Sequence, residues 1–411
     1  MPFIMITVLI DMIGIGLIIP VLAPVVGTFT SSPTEQAFWY GVVTFAFGIA
    51  NFFGSPILGA MSDRYGRRPV LLLGFTGLAL SFWVTGLATQ LWMLVAVRLV
   101  SGALQANVSV ANAYVADITP PQDRAKRFGM LGAMFGLGFV LGPVMGGLLG
   151  HINVHLPFFV AGSLAIVNAL YGYFVLPESL PVERRTPINW RKANPISSLK
   201  QLQDLHGVGP LVAVVGLASL AQFTLHTSWV LYTGFRFGWG PLENGWSMFA
   251  IGIMSIIVQG GLIRVALKRL PAQRIAIWGL GSSAVCYLLW GLADQGWMMY
   301  AIICANVLGF MANPALQSIV SGAADASSQG RTMGAVSSLN SASAALAPVL
   351  GSGLIGLVSH LPPADWRVGA PMYLCAALCA VSALLAVRHF KQHPPRPADV
   401  PPTTPSPQSA A

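Results

Sequence analysis

Twelve apolar stretches, each long enough to cross a bilayer, leave this chain few ways to fold. A spanning helix needs about 20 residues to cover ~30 Å of hydrocarbon at ~1.5 Å per residue. The stretches 3–26, 38–60, 69–88, 91–116, 128–150, 156–176, 208–233, 245–266, 275–293, 297–320, 333–358 and 371–387 meet that length. Lipid offers no partner to a backbone N–H or C=O, so runs this long are expected as helices, and the chain as an all-α membrane protein. Its charged content points the same way, at 9% against about 25% in soluble domains. The first stretch has no basic leader and too long an apolar run for a signal peptide, so it reads as a retained helix.

The basic residues orient the spans. Nineteen of the 22 lysines and arginines fall on one side, which we call the basic end; Arg236 and Arg367 fall opposite, and Arg98 lies inside the fourth stretch. Cytoplasmic loops carry such an excess. Both termini are therefore expected in the cytoplasm, and the formal charge of +9 reads as a topology signal rather than a nucleic-acid surface. Cys286, Cys304, Cys375 and Cys379 all lie in apolar stretches without metal-ligand spacing, so neither a metal nor another cofactor is expected.

The longest polar interruption, 178–206, divides the stretches six and six. The expected organisation is a first six-helix bundle over 1–177, a cytoplasmic linker over 178–206, a second bundle over 207–390 and a disordered tail over 391–411 rich in Pro, Ser and Thr. A faint repeat relates the halves: Gly129 precedes Pro143 by the interval that separates Gly334 from Pro348, and Pro143-Val144-Met145-Gly146 is echoed by Pro348-Val349-Leu350-Gly351. Duplication of a six-helix unit produces this pattern.

Two motifs stand out. The fifth stretch carries Gly129, Gly138, Gly142, Pro143, Gly146 and Gly147. Glycines in register on a membrane helix let two backbones touch, and a mid-helix proline is tolerated only where neighbours cover the freed carbonyl. Between the second and third stretches, the turn Gly59-Ala60-Met61-Ser62-Asp63-Arg64-Tyr65-Gly66-Arg67-Arg68 combines glycines, arginines and one carboxylate. Asp63, Arg64, Gly66, Arg67 and Arg68, with Asp117 at the end of the fourth stretch placed to meet Arg67, are expected to form a cytoplasmic gate latching two rigid halves.

These motifs resemble those of the major facilitator superfamily: the decapeptide is similar to its signature loop, and the glycine-proline pattern to that of its twelve-helix drug:proton antiporters. Within that superfamily the chain most resembles the tetracycline-efflux family, through Asp11 to Pro20, Ser62 to Leu73, Arg98 to Gly102, Phe128 to Gly147, Arg236 to Trp239 and Pro314 to Gln317. The resemblance implies two pseudo-symmetric six-helix bundles around a cavity that opens alternately to either side. It also implies proton-coupled efflux of small amphipathic drugs from the bacterial cytoplasm across the inner membrane, by a monomer. This sequence departs from the family at Ser81, Ser255 and Ser283, where tetracycline exporters commonly carry an acid in the third helix, a histidine in the eighth and an acid in the ninth.

Little is ionisable at membrane depth, and such residues default to a functional reading. Asp11 is the only acid well inside a stretch, and Arg98 is its nearest candidate counter-charge. In related drug antiporters a matching arginine is implicated in proton coupling. His226 is a second candidate proton site, because imidazole changes charge nearest neutral pH. Asn107, Gln222, Trp229, Asn313 and Gln317 are candidates to line the substrate cavity, the amides by hydrogen bonding and the indole as an apolar wall. The partners expected are a small drug, protons and membrane lipid, with no nucleic acid. A proton-coupled solute symporter of the same fold would share Asp11 and the basic turn. No H-E-x-x-H, G-x-S-x-G or G-x4-G-K-[ST] occurs, so an enzyme or an ATP-driven pump is not expected.

Overall fold

The computed structural model describes residues 2–188, 209–323 and 329–392. The first half holds α1 (Pro2–Gly27), α2 (Pro33–Tyr65), α3 (Arg67–Gly86), α4 (Leu91–Leu104), α5 (Asn107–Asp117), α6 (Arg124–Ile152) and α7 (Leu156–Val175). The second holds α8 (Gly209–Phe237), α9 (Pro241–Ile257), α10 (Ile263–Arg269), α11 (Ala272–Leu292), α12 (Gly296–Ala305), α13 (Val307–Ala323), α14 (Gln329–Val358) and α15 (Ala370–Gln392). Among the described residues eleven spans are long and apolar enough to cross a membrane, and α12 with α13, bent by 49° at their junction, make a twelfth when read as one span. The chain is thus a multi-pass helical membrane protein. Most of the linker, from 189 to 206, and the tail from 393 lie outside the described residues.

Three spans that read as single helices are interrupted. Between α4 and α5 the backbone leaves the helix at Gln105 and Ala106, and Asn51 of α2 covers the freed carbonyls: its Nδ2 donates to Gln105 O at 2.6 Å and to Gly102 O at 3.5 Å. Exposed carbonyls in hydrocarbon cost several kcal/mol unless paired, so this break needs Asn51. The tenth span bends at Asn306, whose Oδ1 accepts from Ser282 Oγ at 3.3 Å. The eighth passes through a π-helical turn, Val258–Leu262, which contains Gly260 and Gly261. Hydropathy registers none of these, because the one or two polar residues at each interruption are averaged out over a window of about 20 residues.

The two halves meet at one end and part at the other. A single apolar cluster runs through both, from Leu17, Val21 and Tyr40 to Trp229, Tyr232 and Trp290, at the end away from the basic loops. Toward the basic end it gives way to two separate clusters, one around Phe75 and Tyr114 in the first half and one around Ile275 and Leu316 in the second. Two seams join the halves. On α2, a Cβ at Gly48 would lie 2.8 Å from Ala345 Cα of α14, and Thr34 Oγ1 bonds Ser359 Oγ at 2.8 Å at the tip of the same seam. On α6, Gly147 packs against Gly245 of α9, with Cβ-to-Cα approaches of 3.0 and 3.1 Å. A Cβ built on Gly129, Gly132 or Gly136 of the basic-end half of α6, or on Gly260 or Gly261 beyond α9, would meet nothing within 4 Å among the described residues beyond its own stretch of helix. The arrangement is a V that opens toward the basic end.

At the closed end, Arg236 in the last turn of α8 ties two loops, after α11 and after α14. Its Nε donates to Ala293 O at 2.9 Å, and its Nη1 to Pro363 O at 2.5 Å and Asp365 O at 2.6 Å. The Asp365 carboxylate accepts from Arg367 Nη2 at 2.7 Å and from Arg367 N at 2.8 Å, bonds that hold its carboxyl down at about 2 from 3.8. Because the folded value is the lower one, the stabilisation is complete above 3.8 and lost only as pH falls to about 2.

Candidate translocation site

The glycine-proline pattern of α6 separates into two faces. Gly138, Gly142 and Gly146 recur every four residues, one stripe of a helix, and all three lie against α1. A Cβ at Gly142 would lie 2.6 Å from Gly16 Cα; one at Gly138 would press on Met12, and one at Gly146 on the Leu17 backbone. Gly147 and the Pro143 carbonyl, 2.6 Å from a Cβ built on Gly245, face α9 in the other half. The motif therefore welds α6 to α1 within the first half and seats it on the second. Gly129 takes no part in either contact here.

That weld fixes the depth of Asp11 on α1. Asp11 is 6% exposed, and its Oδ1 accepts from Asn107 Nδ2 at 3.1 Å. Asn107 is the first residue of α5, just past the break, and it reaches Asp11 across Gly74 of α3, where any Cβ would collide with its amide. Asn107 is thus the partner of the candidate proton site. Arg98 does not pair with Asp11: no ion pair joins them among the described residues. Its guanidinium lies 5.9 Å from the Phe47 ring centroid, near Tyr40, with Nε and Nη2 buried and unpartnered.

The second half faces this site with neutral groups. Asn313 Nδ2 of α13 donates to Gln222 Oε1 of α8 at 3.0 Å, and Ser219 Oγ bonds Asn340 Oδ1 of α14 at 2.6 Å. His226 lies one turn beyond Gln222, and Gln317 one turn beyond Asn313; both are accessible. His226 shares the face of α8 that carries Gln222, four residues before it. Trp229 is placed differently. It is 2% exposed, donates to Ser247 Oγ at 3.0 Å and meets Trp290 edge to face, so it packs in the shared core at the closed end. Of the three serines, Ser81 and Ser283 are buried, Ser81 Oγ is unpartnered, and Ser255 Oγ accepts from Gln259 at 2.5 Å.

The basic turn is a cluster around Arg67. Nε donates to Asp117 Oδ2 at 3.0 Å, and Nη1 donates to Asp63 Oδ1 at 2.5 Å and Ser62 Oγ at 2.7 Å. Gly66, at φ +105°, makes the turn that starts α3. Glu178 was not singled out in the sequence, yet its carboxylate accepts from the N–H groups of Arg67 and Arg68 at 2.8 and 3.3 Å, at the positive end of α3. Its signal was the Pro177-Glu178 pair that ends the sixth span, an acid held at the membrane surface. Arg68 donates to Tyr173 O, whereas Arg64 only lies over the Tyr65 ring. All these contacts stay within the first half. The expected latch between halves is, in this conformation, a clasp of α2, α3, α5 and the chain after α7.

Removing Arg67 leaves Asp117 half-buried with one bond, from Ser179 Oγ at 3.3 Å. We expect Arg67→Ala to lower thermal stability by roughly 1–3 kcal/mol while equilibrium drug binding stays within twofold. Loss of binding with an unchanged melting temperature would contradict that assignment.

The sequence matches the Major Facilitator Superfamily over residues 4–348 and 311–411. A tetracycline resistance protein of class C from Escherichia coli is 36% identical over 369 residues, covering 90% of this chain and 93% of its own. One of class D from Salmonella ordonez is 33% identical over 373 residues, covering 90% and 94%. Among solved structures, the human organic anion transporter MFSD10 (TETRAN) superposes with a TM-score of 0.69 at 23% identity, covering 94% of this chain and 98% of that one. The weld between α1 and α6, the paired seams and these likenesses agree: the chain belongs to the Major Facilitator Superfamily, as a relative of its tetracycline resistance proteins.

Proposed function

We propose that this protein exports small amphipathic drugs across the bacterial inner membrane by alternating access, driven by protons returning to the cytoplasm. The observation that carries the reading is Asp11, the one carboxylate at membrane depth, bonded to Asn107 at the break of a neighbouring span. A titratable group beside a discontinuous helix is how secondary transporters join ion binding to movement. With the basic end in the cytoplasm, the V is the state that loads drug. Drug entry displaces the Asp11 proton to the cytoplasm, the halves close over the drug at the basic end, and the seams at α2–α14 and α6–α9 part; drug then leaves on the far side, Asp11 takes up a proton there, and the protonated carrier returns to the V. The energetic requirement is that drug and proton exclude one another and that the carrier holding neither does not change sides. Relatives named for tetracycline resistance support the drug class.

Substrate choice follows from the wall of the cavity. The spans of the second half hold neutral amides and no Asp, Glu, Lys or Arg near Gln222 and Asn313, and serines stand at 81, 255 and 283, the first and last of them buried behind the wall. A desolvated charge on a ligand needs a partner, so such a cavity discriminates in favour of neutral or weakly polar drugs. The test is a susceptibility panel of tetracyclines, phenicols, quinolones and cationic dyes in an efflux-deficient host. We expect phenicols to be exported at least as well as tetracyclines, and Ser81→Asp to shift the ratio toward tetracycline by about tenfold, roughly one charge-assisted hydrogen bond. Strong, selective tetracycline export by the wild type that Ser81→Asp leaves unchanged would refute this account of substrate range; resistance to none of the compounds would refute efflux.

A further inference from the structure

We propose that the outer seam between α3 and α7 holds one acyl chain of an anionic phospholipid, with its phosphate at Arg68 and Arg185. The seam encloses a groove of about 270 Å³, walled by Leu72, Thr76 and Ala79 on α3 and by Ile166, Ala169 and Tyr173 on α7. The helices are antiparallel, so Leu72 and Tyr173 mark its basic-end mouth, and Ala79 and Ile166 its inner end. Seven residues of α-helix separate the two, a run of roughly 10 Å from headgroup level into the hydrocarbon. Thr76 spends its hydroxyl on Leu72 O at 2.8 Å. Apart from the Tyr173 hydroxyl at its mouth, the groove thus has no side-chain polar group left to satisfy, and suits a hydrocarbon chain better than a drug with several polar atoms.

The mouth supplies the charge. Arg68 bonds the Tyr173 carbonyl and lies 5.7 Å from its ring centroid, at the point where the groove meets the surface. Arg68 Nε and Arg185 Nε are buried without a partner, and Arg64 and Arg184 are exposed nearby in the chain. The acids of the same region are mostly spent: Asp63 on Arg67, Asp117 on Arg67 and Ser179, and Glu178 on the N–H groups of Arg67, Arg68, Ser179 and Leu180. Glu183 is exposed, and the Asp63 side chain is half exposed although ion-paired. Unspent guanidinium donors above an apolar slot at a membrane surface match a phosphodiester with its chain below. Bound there, the lipid would brace α3 against α7 beside the Arg67 clasp.

Native mass spectrometry of the full-length protein, exchanged into mixed micelles with equal phosphatidylglycerol and phosphatidylcholine, tests this. The expected result is one retained phosphatidylglycerol, favoured over phosphatidylcholine by at least fivefold. Thr76→Trp, which fills the groove, should remove the adduct, and Arg68→Gln should keep an adduct but reduce the headgroup preference about fivefold, the worth of one arginine near a lipid surface. Circular dichroism melting confirms that each variant is folded, and Ala169→Phe gives the same reading should Thr76→Trp not fold. Equal retention of both lipids by the wild type, or an adduct untouched by the groove-filling variants, overturns the proposal. So does displacement of the adduct by a transported drug at its transport concentration, which would assign the groove to substrate.

Discussion

Asp11→Asn is expected to abolish drug-driven proton movement while leaving the protein folded, inserted and able to exchange drug down its gradient. The substitution is close to isosteric, and an asparagine Oδ1 accepts from Asn107 Nδ2 as the carboxylate does at 3.1 Å. Packing against α6 and the bond to Asn107 therefore survive, and only the capacity to bind and release a proton is lost. Burial of a carboxylate at 6% exposure has no structural return that a neutral amide would not also supply. Coupled export should fall at least a hundredfold, because the free energy of the gradient reaches the drug only through a group that changes protonation within the cycle. The measurement is drug-dependent proton flux in proteoliposomes, alongside drug counterflow. Wild-type-like proton flux in Asp11→Asn would move the coupling site elsewhere, with His226 on the opposite wall as the next group to replace.

The sequence made the spans legible, because hydropathy over about 20 residues responds to composition alone. It also placed Asp11, since a lone acid in an apolar run needs no tertiary knowledge to notice. It did not give Asp11 its partner. Asn107 becomes that partner only because the fourth span breaks at Gln105, and the break depends on Asn51, two spans away in sequence but adjacent in space. Arg98 looked like the counter-charge for the opposite reason: charge is visible in a sequence, whereas the stacking of Phe47 against the guanidinium is not. Trp229 shows the same limit. An indole facing a cavity and one packed edge to face on Trp290 have the same flanking residues, and only packing separates them. For the basic turn, residue types pointed to Arg67 and Asp117, but whether the clasp joins one half or two depends on where the chain after α7 returns.

Gly142→Val should have the second large effect, and it acts on assembly rather than chemistry. The first carbon of any side chain at this position would sit 2.6 Å from Gly16 Cα and 2.9 Å from Gly16 C and Ile13 O, all backbone atoms of α1. Backbone cannot swing aside as a flexible side chain does, so α1 and α6 must separate by more than an ångström. Overpacking a close-fitted interior costs roughly 1–3 kcal/mol and sometimes more. In a membrane the loss is compounded, because van der Waals contact is much of what holds two helices together. Asp11 rides on α1 one turn before this contact, so separation also moves it away from Asn107. We expect export to disappear and detergent-solubilised protein to melt well below the wild type. Gly129→Val is the informative companion, since Gly129 belongs to the same motif but meets nothing within 4 Å in the open V. It should melt like the wild type yet turn over more slowly, because the basic-end half of α6 must approach the second half when the V closes. If Gly129→Val destabilised the protein as strongly as Gly142→Val, the motif would not divide into a static weld and a moving face. If both variants transported normally, close backbone contact between α1 and α6 would not be what the glycines are for.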